Sequence, residues 1–111
     1  TVIDGLTDDM RLVMEEAFGP VASIYKVANK EEAVRIANQT TFGLSSAVWS
    51  QDTAEQDYFV QHLQAGAVFV NGMTISYPEL AFGGIKDSGF GRELSDAGIK
   101  EFCNLKTVWK A

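Results

Sequence analysis

Cysteine and histidine are almost missing from these 111 residues, with one of each. A single thiol, Cys103, excludes an internal disulfide and fits a reducing compartment, so a cytoplasmic location is expected. The sole histidine, His62, has no cysteine or second histidine near it, so no metal site is expected. Basic residues are also scarce. Nine Lys and Arg face fifteen Asp and Glu, for a formal charge of -6. Binding to nucleic acid or an anionic membrane needs a basic face, and this chain lacks one. The acidic residues are scattered, as on a solvated surface, and form no acidic tail. No apolar run is long enough to span a bilayer. No signal peptide is expected within these residues. The chain opens at Thr1 without an initiator Met, and is expected to begin inside a longer protein. Nucleotide fingerprints are missing as well. Gly89-Phe90-Gly91 starts a GxG, but Leu94 stands where GxGxxG needs its last glycine, and no GxxxxGK[ST] occurs. Repeats, low-complexity tracts and linkers are absent.

What is present is an apolar content of 46%, enough for one real core in one domain or less. Strand-like and helix-like segments alternate. Val21 to Val27 is apolar and β-branched, follows Gly19-Pro20, and reads as a strand. Asn29 with Glu32 is a capping box, and it opens a helix from Lys30 to Gln39. Ala33, Val34 and Ala37 share one face of that helix, with Glu31 and Arg35 paired outside. Leu44 to Trp49 is the next strand. Asp52 with Glu55 repeats the capping box and opens a helix that turns Phe59, Val60 and Leu63 inward and ends near Gly66. Ala67 to Asn71 reads as a short strand covered on both faces. This order predicts an α/β fold with a parallel βαβ sheet. Asn71 to Gly91 interrupts it with a long, five-glycine segment of the kind that carries function. Ser95 caps a last helix with Ile99 and Phe102, and Leu105 to Trp109 reads as a final strand.

Two stretches stand out: MEEAFGP, Met14 to Pro20, and AFGGIKDSGFGRE, Ala81 to Glu93. In this order and separation they resemble the C-terminal part of the aldehyde dehydrogenase superfamily, and the resemblance runs the length of the chain. It implies the C-terminal part of a catalytic domain over residues 1–103 and a terminal oligomerisation strand over 104–111. It also implies a parent enzyme that oxidises an aldehyde with NAD or NADP. In that reaction a cysteine thiolate attacks the aldehyde, hydride leaves to the nicotinamide, and water hydrolyses the resulting thioester. The family's nucleophilic cysteine lies upstream of the matched region, so the isolated chain is expected to be inactive. The competing reading is a non-catalytic α/β assembly module or structural relic.

The resemblance also assigns roles. Glu16 matches the glutamate that accepts hydrogen bonds from the nicotinamide ribose, a task suited to a carboxylate with two acceptor oxygens. Phe18 matches the aromatic that packs on the nicotinamide. Glu15 is expected to be structural. Phe82 matches the phenylalanine of the aldehyde channel, and the glycines after it are expected to allow positive φ and close backbone approach. Ala81 stands where many members have proline. Glu93 matches a glutamate considered as a proton relay, behind Arg92. The text NGMTISYPEL, Asn71 to Leu80, is similar to the succinate-semialdehyde branch. There Ser76 matches a serine that hydrogen-bonds the substrate's distal carboxylate, and Tyr77 is placed to wall the pocket. The terminal strand implies a homo-oligomer, in which Asn104 replaces a glutamate that contacts an arginine matching Arg92. Cys103 sits near the end of a helix with no base motif beside it, and reads as a buried packing residue. Trp49 and Trp109 read as core and interface aromatics.

Overall fold

The computed structural model describes residues 1–111. Six strands and four helices follow in the order β1 (Val2–Ile3), α1 (Arg11–Met14), β2 (Ala22–Ser23), α2 (Lys30–Gln39), β3 (Phe42–Gly43), β4 (Ser45–Val48), α3 (Thr53–His62), β5 (Ala67–Val70), β6 (Ile85–Lys86) and α4 (Ser95–Lys100). The fold is α/β with parallel pairing, as predicted, but the strands form three two-stranded sheets and not one. β1 pairs parallel with β2, and β4 parallel with β5, while β3 pairs antiparallel with β6. β4, α3 and β5 make one βαβ unit, in register from Ser45 opposite Ala67 to Val48 opposite Val70.

Both long helices begin where their caps dictate. Asn29 Oδ1 accepts from the Glu32 amide at 2.9 Å, satisfying one of the orphan donors of the first turn of α2. The Glu32 carboxylate reaches back to the Ala28 amide at 2.7 Å, one residue earlier than in a standard capping box. Asp52 Oδ1 accepts from the amides of Ala54 and Glu55, at 2.8 and 3.2 Å. Glu55 closes its side of that cap through the Ser50 hydroxyl, which in turn accepts from the Asp52 amide.

The far ends of α2 and α3 meet in a polar junction. Asn38 donates to the His62 carbonyl and accepts from the Gln64 amide, both at 2.8 Å. The Lys86 ammonium donates to the carbonyls of Asn38 and Thr40, at 2.9 and 3.1 Å. A cation at this end also meets the negative end of the helix dipole. The Gly43 amide donates to Ser88 Oγ at 2.9 Å, and the Gly66 amide to the Gly43 carbonyl at 3.0 Å. Gly66 packs so close to Gly83 that a Cβ there would overlap the Gly83 carbonyl oxygen.

Several expectations are corrected. The core is thin: its apolar members are Val34 and Val48, each 8% exposed. The chain is elongated, with extents of 65 × 32 × 27 Å and a radius of gyration of 17.6 Å, against about 13 Å for a compact chain of 100 residues. Val21 to Val27 pairs only at Ala22–Ser23, because β1 offers two partners and no more. The faces of β5 are half-buried and not covered. Trp49, Val60 and Cys103 are exposed, because nothing in these 111 residues packs over them. Arg35 pairs with Asp8 at 3.7 Å and not with Glu31. Ser95 lies inside α4, where Oγ accepts from the Ala97 amide, with Leu94 at the cap position and both at positive φ. Residues 104–111 form no strand within the chain, and all are exposed.

Candidate functional site

Two clefts lie against the glycine segment. The first, of about 520 Å³, runs between α1 and the β3–β4 turn. Glu16 lines it, together with Val13, Gly43, Ser46 and Asp87. Glu15 is turned back along α1, where Arg11 grips it with two hydrogen bonds of 2.8 and 2.7 Å. That guanidinium holds the Glu15 carboxyl below its ordinary range. Glu15 also lines this cleft, but Arg11 occupies its carboxylate, as expected of a structural residue, whereas the Glu16 carboxylate makes no such pair. Phe18 lines neither cleft. It is 90% exposed, with φ of 38°.

The second cleft is larger, about 1270 Å³, and opens beside α4. Phe82 and Glu93 both line it. They face each other across an antiparallel bridge, each amide donating to the other's carbonyl, at 2.9 and 2.8 Å. The glycines between them act as predicted. Gly89 and Gly91 hold φ of 130° and 67°. Gly83 has no room for a Cβ, which would lie 2.7 Å from the Gly91 carbonyl oxygen. Arg92 makes no ion pair with Glu93. Its Nη1 donates instead to the carbonyls of Gly84 and Gly91, at 2.9 and 2.6 Å, and so closes the loop on itself.

The two clefts share Leu44 and Ser88 as a common wall. Glu16 thus stands on one side of that wall, and Phe82 with Glu93 on the other. Ser76 and Tyr77 line neither cleft, although the next two residues, Pro78 and Glu79, line the larger one. Ser76 is exposed and Tyr77 is 47% exposed.

Sequence reading missed the residues that fix this arrangement. Leu44 passed as a strand residue, and Ser88 as loop text. Lys86 gave only the weak signal of a basic residue, with nothing to say which helix end it would reach. Asn38 sat on a helix face with no sign that it would bridge to the second helix.

The aldehyde dehydrogenase family model matches residues 1–108. The chain belongs to the aldehyde dehydrogenase family. It is 63% identical over 109 residues to succinate-semialdehyde dehydrogenase [NADP(+)] 1 of Mycobacterium ulcerans, which covers 98% of this chain and 24% of that protein. Its fold matches the succinic semialdehyde dehydrogenase of Streptococcus pyogenes, solved with NADP+, with a TM-score of 0.91 and 40% identity over 98% of this chain and 24% of that one. It also matches the NAD-dependent aldehyde dehydrogenase of Sinorhizobium meliloti, with a TM-score of 0.86 and 42% identity, covering 91% of this chain and 20% of that one. The chain spans about a quarter of the length of these relatives. As an aldehyde dehydrogenase segment it holds its motif residues in two settings. Phe82 and Glu93 are fixed by backbone pairing, whereas Phe18, Ser76 and Tyr77 lie on exposed chain.

Proposed function

We propose that this chain is one part of a longer NAD(P)-dependent aldehyde dehydrogenase that oxidises succinic semialdehyde, and that it supplies one wall each of the cofactor and aldehyde sites. The observation that carries this reading is the wall of Leu44 and Ser88 between two clefts, with Glu16 on one side and Phe82 and Glu93 on the other. A hydride transfer needs its donor and acceptor in adjoining sites, held in one geometry. NADP is favoured by the names of the mycobacterial relatives.

Each residue has a task in this reading. Glu16 accepts from the ribose hydroxyls and sets the depth of the cofactor. Phe18 and Tyr77 become walls when the rest of the enzyme covers them. Phe82 shapes the aldehyde channel. Glu93, pinned beside Phe82 by two backbone hydrogen bonds, holds a proton-relay position. Ser76 donates its hydroxyl to the distal carboxylate of the substrate. A nicotinamide cofactor held by Glu16 and Phe18 would supply the hydride acceptor. Cys103 lies exposed three residues beyond α4 with its Sγ 3.5 Å from the Ile99 carbonyl, and has no part in the chemistry. The chain alone therefore turns over no aldehyde. Leu105 to Trp109, exposed and without backbone partners, adds as a strand to a neighbouring chain.

The test is made in the full-length enzyme. Glu16→Gln should slow hydride transfer with little change in stability. Ser76→Ala should raise KM for succinic semialdehyde relative to butanal by roughly ten- to a hundred-fold, the effect of one lost hydrogen bond to a charged group. Unchanged kinetics in the first variant would remove the cofactor assignment. An equal effect on both aldehydes in the second would leave Ser76 an ordinary loop residue.

A further inference from the structure

The segment that carries Ser76 is tied down on both sides of that residue. On leaving β5, Asn71 takes φ of 53°, a left-handed conformation that asparagine tolerates better than most residues. Its amide donates to the Val48 carbonyl at 2.7 Å. Its side chain then clasps Ser50, with Oδ1 accepting from the Ser50 amide at 3.0 Å and Nδ2 donating to the Ser50 carbonyl at 2.9 Å. Ser50 is itself fixed by the cap of α3. Three residues on, the chain has doubled back along β4. The Ser45 hydroxyl, on the first residue of that strand, lies 3.2 Å from the Thr74 hydroxyl. Beyond Ser76, the Pro78 carbonyl accepts from the Ser95 amide at 2.9 Å. Only 75–77 bridge these ties.

We infer that Asn71 and Thr74, moored on Ser50 and Ser45, are positioning residues that set the selectivity of the enzyme for carboxylated aldehydes by fixing where Ser76 presents its hydroxyl. The inference rests on the proposed role of Ser76. Its physical basis is reach. A hydroxyl on a short side chain meets a carboxylate only if the backbone beneath it is held, and a displaced binding group loses part of its contact. Neither Asn71 nor Thr74 lines either cleft, so each acts through the backbone and not by touching the ligand.

The experiment compares succinic semialdehyde with butanal in the full-length enzyme. Thr74→Val keeps the shape and removes the hydroxyl. Ser45→Ala removes its partner. Asn71→Gly keeps the left-handed turn accessible and removes the clasp. Ser76→Ala is run in parallel. Thr74→Val and Asn71→Gly are each expected to raise KM for succinic semialdehyde by roughly two- to ten-fold, with kcat and the butanal constants unchanged. Ser45 lines the smaller cleft, so Ser45→Ala is read only against Thr74→Val. Thr74→Val and Ser45→Ala should be non-additive, since both delete one interaction. If Ser76→Ala shifts the ratio of the two aldehydes while the mooring variants do not, the inference is overturned. If both aldehydes weaken equally, the moorings are only structural, and it is again overturned. If Ser76→Ala is itself flat, the role of Ser76 has failed and amide exchange decides the mooring. Faster exchange at 72–77 in both Thr74→Val and Asn71→Gly would show that the moorings hold the segment, and unchanged exchange that they do not. In this branch the inference about selectivity is overturned either way.

Discussion

Residues 38–48, 62–70 and 83–98 hold together by backbone approach and polar ties, whereas the side chains of 14–24, 72–80 and 101–111 are largely exposed. In the first region Lys86, Asn38, Ser88 and Arg92 each meet a backbone partner, and glycines let main chains touch. In the second, Phe18, Met73, Phe102, Leu105 and Trp109 expose most of their apolar surface. Single exposed apolar residues are ordinary, but a fringe of this many large ones is the mark of an interaction surface. The contrast separates two jobs. The braced region sets the positions of Phe82 and Glu93 without help. The fringe carries Phe18, Ser76 and Tyr77, whose proposed tasks need a covering surface.

The largest effect should come from filling the space between two glycines. Gly66→Ala places a methyl on the Gly83 carbonyl oxygen, and backbone on that side cannot retreat without breaking the pairing of Gly66 with Gly43. A destabilisation of about 3 kcal/mol or more is expected, read as loss of folded full-length enzyme in a denaturant titration. Gly72→Ala is the counterpart in the fringe. Its nearest neighbour would be the Val70 carbonyl oxygen at 3.9 Å, and the change should stay within about 0.5 kcal/mol. Equal stability of the two variants would erase the distinction between the regions.

A smaller effect, on assembly and not on folding, should follow removal of Leu105 to Ala111. These residues make no backbone hydrogen bond within the chain, so their loss should leave the junction of α2, α3 and β6 intact. The mass of the full-length protein in solution should nevertheless fall, or aggregation rise, while its far-UV signal persists. An unchanged oligomer would show that this part of the fringe is not the contact.

The regions also differed in how well the sequence revealed them. α2 was legible to the residue, because its cap, its first-turn acids and its apolar spacing are all local. β4 and β5 were legible because their apolar runs lie between clear turn signals. Cys103, Trp49 and the strand at Val21 to Val27 were misread for one shared reason. Apolar text reports what a segment is able to bury, while the covering surface comes from elsewhere, and these 111 residues do not provide it. The grip of Lys86 on α2 was illegible for the opposite reason. It joins residues 48 positions apart, and no spacing rule spans that distance.

The smallest effect sharpens the contrast within one motif, at the adjacent residues Glu15 and Glu16. The Arg11 guanidinium lowers the Glu15 carboxyl from its ordinary value of 4.5, and Glu15 raises Arg11 in return. A carboxyl lowered in the folded state contributes stability that is present above its unfolded pKa and lost as pH falls through the folded one. The contribution should therefore disappear in acid, as pH falls below about 4.5. Both side chains are largely exposed, so solvent and salt screen the pair, and thermal stability should hardly respond to Arg11→Met. The carboxyl resonance of Glu15 is the sensitive readout. Its midpoint should lie below 4.5 at low salt, rise toward that value in 1 M salt (where the Debye length is about 3 Å), and reach it in Arg11→Met. An unmoved midpoint in that variant would mean that Arg11 does not hold Glu15. The turn would then lose the local reason for engaging one of the two cleft-lining glutamates and leaving the other free.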